Sequence, residues 1–160
     1  MTQVLWRIAV DARAYTADDL TGGGAKATGG RWNEIDHAMV YTSSTRALAC
    51  LETIVHLNAG GLPLNRYLVE ITVPDVVWHR ARHQTAASLP VGWDAEPASK
   101  TSIDVGTTWL AGGETALLVV PSVIVPEEYN ILINPAHGDS SRLGARKLRK
   151  WTYDPRLTRR

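Results

Sequence analysis

Tyr67, Val69, Ile71 and Val73 alternate with Leu68, Glu70 and Thr72, a period of two that predicts a strand. Val4–Val10 reads as an earlier strand, followed by a polar loop ending in Thr21-Gly22-Gly23-Gly24. Met39–Thr42 is a short apolar strand, and Ser43 or Ser44 behind it can offer a side-chain oxygen to the free amides of a helix. Ala47, Leu48, Leu51, Ile54 and Val55 have the spacing of one buried stripe on a helix over 45–57, ended by Gly60-Gly61 and Pro63. A second short helix is expected over 101–110, stopped by Gly112-Gly113. Ala116–Val125 is apolar or proline at nine of its ten positions and reads as a strand bent at Pro121-Ser122. Tyr129–Asn134 and Leu148–Tyr153 are the last strands. Strands outnumber helices without alternating with them, so the expected fold class is α+β, in a single domain over 1–160.

Composition changes this picture little. With 160 residues, 44% hydrophobic and 21% charged, the chain suits one globular core. Its first residues lack the basic start and long apolar stretch of a signal peptide, and its apolar runs are too short to span a bilayer. The single cysteine, Cys50, excludes an internal disulfide framework and fits a reducing compartment, so the expected location is the cytoplasm. Charge is uneven beneath a net +1: residues 142–160 hold eight Lys/Arg and one acid, against nine basic and fifteen acidic residues before them. Such a segment is more often a solvated strand and tail than a nucleic-acid groove.

Several tempting motifs fail on context. Gly22-Gly23-Gly24-Ala25-Lys26-Ala27 fits a dinucleotide fingerprint formally, but polar Asp18-Asp19 precedes it and Gly29-Gly30 interrupts any helix after it. Gly24 and Gly29 begin like a phosphate loop, yet Gly30-Arg31 stands where Lys-Ser/Thr is needed. His79 and His83 could pair on a metal only if helical, with Arg80 and Arg82 repelling the cation, so a surface segment is expected and no metal. Cys50 and His56 point about 120° apart on one helix, which makes Cys50 core rather than nucleophile.

Three segments look unlike scaffold. Gly29-Gly30-Arg31-Trp32-Asn33 presents a guanidinium, suited to phosphate, beside a large aromatic. Tyr41-Thr42-Ser43 leads into the helix that carries Glu52, about 140° from Ala47 and so at the border of the apolar stripe, with His56 one turn on. Ser122 is a lone hydroxyl in an apolar run, and Asn134-Pro135-Ala136-His137 closes the next strand. Singly, each reads more readily as a solvated edge or a bend than as a site.

Together they resemble the RES-domain family over nearly the whole chain. The resemblance rests on Trp6-Arg7, Gly29-Gly30-Arg31-Trp32-Asn33, Val40-Tyr41-Thr42-Ser43 and Leu48-Ala49-Cys50-Leu51-Glu52. It continues through Gly106-Thr107-Thr108-Trp109-Leu110, Val120-Pro121-Ser122-Val123-Ile124-Val125-Pro126, Asn130-Ile131-Leu132-Ile133-Asn134-Pro135 and Tyr153-Asp154-Pro155-Arg156-Leu157. Asp36-His37 stands where a glycine is common.

The resemblance implies a compact mixed sheet like the ADP-ribosyltransferase (diphtheria-toxin-like) fold. It implies a toxin of a type II toxin–antitoxin pair that uses NAD⁺ as substrate without a metal. Its partner would be an Xre-like helix-turn-helix antitoxin, with DNA contacted only through that protein. Cleavage of the nicotinamide–ribose bond by hydrolysis or phosphorolysis is placed first. Transfer of ADP-ribose to a protein comes second, and a non-catalytic nucleic-acid-binding module last. By the same resemblance Arg31, Tyr41, Glu52 and Ser122 form the catalytic set. Glu52 faces the oxocarbenium-like ribose, while Arg31, with Arg7 as second candidate, holds the pyrophosphate. Tyr41 and Trp32 flank the nicotinamide, Ser122 bonds a ribose or phosphate, and Asn134 supports the strand end.

Overall fold

In a computed structural model, which describes residues 2–57 and 62–158, the chain forms one seven-stranded mixed sheet with helices against it. The strands are β1 (Thr2–Val10), β2 (Val40–Ser43), β3 (Arg66–Pro74), β4 (Arg82–His83), β5 (Leu117–Pro121), β6 (Tyr129–Ile133) and β7 (Gly144–Lys150). Their order is β4-β5-β6-β2-β1-β3-β7, antiparallel throughout except for β4 beside β5. The helices are α1 (Gly23–Thr28), α2 (Arg46–Ile54), α3 (Asp75–Trp78) and α4 (Lys100–Gly112). No described helix is long and apolar enough to cross a membrane.

The sheet is almost two sheets. β1 pairs with β3 along its whole length, from Thr2↔Pro74 to Val10↔Arg66, whereas β1 and β2 meet at the single pair Trp6↔Ser43. Beyond that pair the β1 edge leaves β2, and the backbone gap is the opening on which the cleft described below is built.

Three apolar clusters hold the halves. Leu5, Val69, Ile71, Val40, Leu117 and Ile133 pack on one face. Trp6, Ile8, Cys50 and Leu68 pack under α2 with Tyr153. Trp32, Met39, Trp93, Trp109, Leu118 and Leu132 pack under α4. The Trp32 and Trp93 rings stack with centroids 6.3 Å apart, a pair worth about 0.5–1.5 kcal/mol beyond its buried area. Gly106 makes the α4 contact possible: a Cβ there would lie 1.7 Å from the Trp32 carbonyl oxygen, so every larger residue pushes the helix off. The Gly106-containing segment is thus a packing requirement.

Several expectations need correction. The polar loop at Gly22–Gly24 opens the short helix α1, which ends at Gly29. The N-cap of α2 is Thr45, whose Oγ1 accepts from the Leu48 amide at 3.1 Å, because Ser43 belongs to β2 and the Ser44 amide donates to the Tyr129 carbonyl. The inward face of α2 is Leu48-Ala49-Cys50, while Ala47, Leu51 and Val55 are exposed. Small residues let the helix sit close over Trp6 and Ile8, and part of its inner face borders a cleft rather than dry core. Gly60-Gly61, expected to stop this helix, lies outside the described residues.

The strand from Ala116 is not bent at Ser122 but ends at Pro121, and the Ser122 amide donates to Glu128 O at 2.9 Å to close the turn into β6. The last strand begins earlier, at Gly144. Its polar face is bonded across the chain, Arg146 to Glu70 at 2.9 Å and Lys147 to Asp11 at 2.7 Å, which hydrophobicity does not mark. Much of the basic C-terminal segment is therefore an edge strand with internal partners. Its charges suit such an edge, which must resist pairing with other chains. His79 follows α3 and His83 lies on β4, so helical spacing does not relate the two.

Candidate functional site

The gap between the sheet halves widens into a cleft of about 660 Å³. Its lining draws on β1 (Trp6 to Val10), α1 and the loop to Trp32, β2 (Tyr41 to Ser43), the α2 face bearing Ala49, Glu52 and Thr53, His56 just beyond that helix, and Arg66 at the start of β3. The three α2 residues fall within about 100° of arc, with Glu52 at one edge of it.

Glu52 is held by one oxygen. Its Oε1 accepts from Ser122 Oγ at 2.8 Å and from Asn130 Nδ2 at 2.6 Å. Asn130 is oriented in turn by Ser43 Oγ, which donates to Asn130 Oδ1 at 2.8 Å across the paired strands β2 and β6. Ser122 Oγ accepts from the Ile124 and Val125 amides at 3.1 and 3.2 Å, which directs its proton at Glu52. Neither donor reaches Oε2, and among the described residues no other hydrogen bond does. A carboxylate positioned through Oε1 with Oε2 left over can meet a positive centre or accept from a ligand hydroxyl. Ser122 is fully buried and is not part of the cleft wall, so it touches the carboxylate rather than a ligand. Asn130 was not among the expected site residues. Its signal was its place beside Glu128 and Tyr129 at the start of an apolar strand, where a polar residue opposite Ser43 has no core to fill.

Tyr41 reaches the cleft with its ring, and its hydroxyl is committed to the 30–33 loop. It donates to Asn33 Oδ1 at 2.6 Å and accepts from the Trp32 amide at 3.0 Å. Burial pushes this hydroxyl well above its ordinary pKa, which the hydrogen bonds and Arg31 only partly oppose, so it stays neutral. Gly30 permits the contact, since a Cβ there would come within 2.6 Å of the Tyr41 hydroxyl. The loop ahead of β2 turns through Asp36 at φ 72, the left-handed conformation that favours glycine.

The two expected phosphate anchors differ. Arg31 donates to Trp93 O at 3.3 Å and Ala95 O at 2.7 Å, and pairs with the exposed Glu96 at 2.7 Å. Its guanidinium thus ties down the 93–96 segment. Arg7 also borders the cleft, but its one hydrogen bond is from Nη1 to the Asp19 carbonyl at 3.2 Å. Burial holds the Arg7 guanidinium below its ordinary pKa, with the Asp19 charge opposing. Trp32 is almost fully buried and stacks on Trp93, while still bordering the cleft. Asn134 lies at the far end of β6 from Asn130, bonded to Leu110 O and to the Ala136 amide, and is not in the cleft wall. The structure therefore brings Arg7, Arg31, Tyr41 and Glu52 around one cleft, with Ser122 behind Glu52. Trp32 serves the core, and Asn134 stands apart.

A family model described as RES domain matches residues 4–155. A protein named "Prs ADP-ribosylating toxin" from Sphingobium sp. (strain YBL2) is 66% identical over 160 residues, spanning 100% of this chain and 99% of that protein. "Toxin Res" from Yersinia enterocolitica is 37% identical over 155 residues, 96% of this chain and 99% of that protein. "Toxin Res" from Photorhabdus laumondii is 34% identical over 125 residues, 78% of each.

Proposed function

Since the chain belongs to the RES-domain toxin family, we propose that its cleft binds NAD⁺ and breaks the nicotinamide–ribose bond, passing ADP-ribose to a protein acceptor. The observation that carries this reading is Glu52, held at Oε1 by Ser122 and Asn130 while Oε2 is left for a ligand. As nicotinamide departs with the bonding electron pair on its ring nitrogen, the ribose develops positive charge at C1′. A fixed carboxylate beside that carbon stabilises this state more than the bound substrate. The acceptor's nucleophilic atom then bonds C1′ and releases its proton.

Arg7 is the first anchor for the pyrophosphate, because it has hydrogen-bonding capacity to offer, and Arg31 shapes the cleft through the 93–96 segment. Tyr41 lies against the nicotinamide side. Ser122 and Asn130 are positioning residues for Glu52. The fold belongs with the ADP-ribosyltransferases in this reading, as a single domain over 1–160. The partner that restrains the toxin is an antitoxin of the Xre-like helix-turn-helix kind.

Sequence reasoning placed breakdown of NAD⁺ ahead of protein modification. The name borne by a relative 66% identical over the full chain reverses that order and suggests Prs as the acceptor. Incubation with adenine-labelled NAD⁺ and purified Prs tests it. Label on the Prs band, with nicotinamide released in equal amount, is the expected result. Label confined to small molecules returns hydrolysis or phosphorolysis to first place, and no nicotinamide release at all rejects the reading.

A further inference from the structure

Arg66 opens β3, where its backbone is fixed on both sides. It is register partner of Val10 on β1, and its carbonyl accepts from the Trp151 amide at 2.8 Å. It lines the cleft described above, as do its register partner Val10 and, from the segment after α2, His56 and Leu57. No side-chain hydrogen bond or ion pair of Arg66 is formed among the described residues, and its Nε is a buried nitrogen without a partner. On the neighbouring strand, Arg146 and Lys147 both hold carboxylates. A half-buried guanidinium left without an anion or acceptor is unfavourable unless a ligand completes it.

We infer that Arg66 forms an anion subsite of the cleft that takes a phosphate group. Arg7 and Val10 are three residues apart on β1, about 10 Å along the strand and on opposite faces. Arg66, the register partner of Val10, thus starts from the other face of β1 than Arg7. Guanidinium is the side chain best matched to phosphate, since its planar donors pair with two oxygens at once. The group bound here is either free inorganic phosphate or a phosphate of the dinucleotide. The inference rests on the cleft being the NAD⁺ site, but not on which acceptor takes the ADP-ribose.

The test titrates wild-type protein and Arg66→Gln separately with inorganic phosphate and with NAD⁺, following heat or melting temperature. A phosphate affinity that falls about tenfold or more in Arg66→Gln assigns the subsite to free phosphate. Loss of a similar size for NAD⁺, with inorganic phosphate binding neither protein, assigns it to the dinucleotide. Unchanged affinity for both overturns the inference. Arg66→Lys, which keeps the charge but not the paired donors, guards against misfolding and should show an intermediate loss. Failure of the wild-type protein to release nicotinamide would reject the proposed function, whereas the phosphate titration judges the Arg66 subsite on its own.

Discussion

Arg7 on β1 and Arg31 in the 30–33 loop both border the cleft, but their guanidiniums stand in different circumstances. Arg31 is occupied by two carbonyls and a carboxylate of the 93–96 segment. Arg7, among the described residues, has one carbonyl at 3.2 Å. The same contrast divides Glu52, whose Oε1 is doubly bonded and whose Oε2 is not. Groups whose hydrogen bonds are completed by the protein build the cleft; groups left incomplete are the ones the proposed function gives to a ligand. Proximity to the cleft alone does not separate the two.

The largest expected effect follows from removing the charge at the incomplete carboxylate. Glu52→Gln still accepts from Ser122 and Asn130, so the fold should hold while nicotinamide release falls on the order of 10²–10³-fold. Near-normal turnover by this variant would remove Glu52 from its role. The next pair of variants sets the two arginines against each other. Arg7→Gln should weaken NAD⁺ binding about tenfold or more and leave melting unchanged or higher, because a poorly compensated buried charge is gone. Arg31→Gln should instead lower stability by about 1–2 kcal/mol and expose the 93–96 segment to protease. Calorimetric titration with NAD⁺ decides: a larger loss in Arg31→Gln means that its loop contacts are given up on binding. The smallest effect is Tyr41→Phe, about 1–2 kcal/mol from two hydrogen bonds. The Tyr41 pKa is raised by burial, so its contribution is complete below pH 10, where the unfolded hydroxyl is still neutral, and declines as pH rises above that. Denaturant melts from pH 8 upward should show wild type losing stability above pH 10 faster than Tyr41→Phe.

Much of this was legible in the sequence because regular burial leaves a period. The β3 alternation and the apolar β5 and β6 runs were readable, as were the two longer helices. Where an element faces the cleft or the sheet edge the period misleads. The α2 inner face carries Glu52 and Thr53, so the stripe of Ala47, Leu51 and Val55 that looked buried is exposed. β7 is basic because it is an edge. Glu52, Ser122, Arg31 and Tyr41 each read singly as an edge or a bend, and it was the resemblance to a family that joined them into one set. Their division into wall and scaffold was not legible in one dimension, since it depends on hydrogen bonds between residues up to 78 positions apart, as between Glu52 and Asn130.

The lone register pair Trp6↔Ser43 means that the two parts of the sheet share very little backbone at the cleft. In the proposed reading, a dinucleotide bound there would act as a missing rung, fastening β1 and β3 to β2 and β6 through contacts the apoprotein does not have. Each tenfold rise of ligand above its dissociation constant adds about 1.4 kcal/mol to the folded state. The cohesion of this molecule is thereby coupled to the cellular supply of the compound it is proposed to consume.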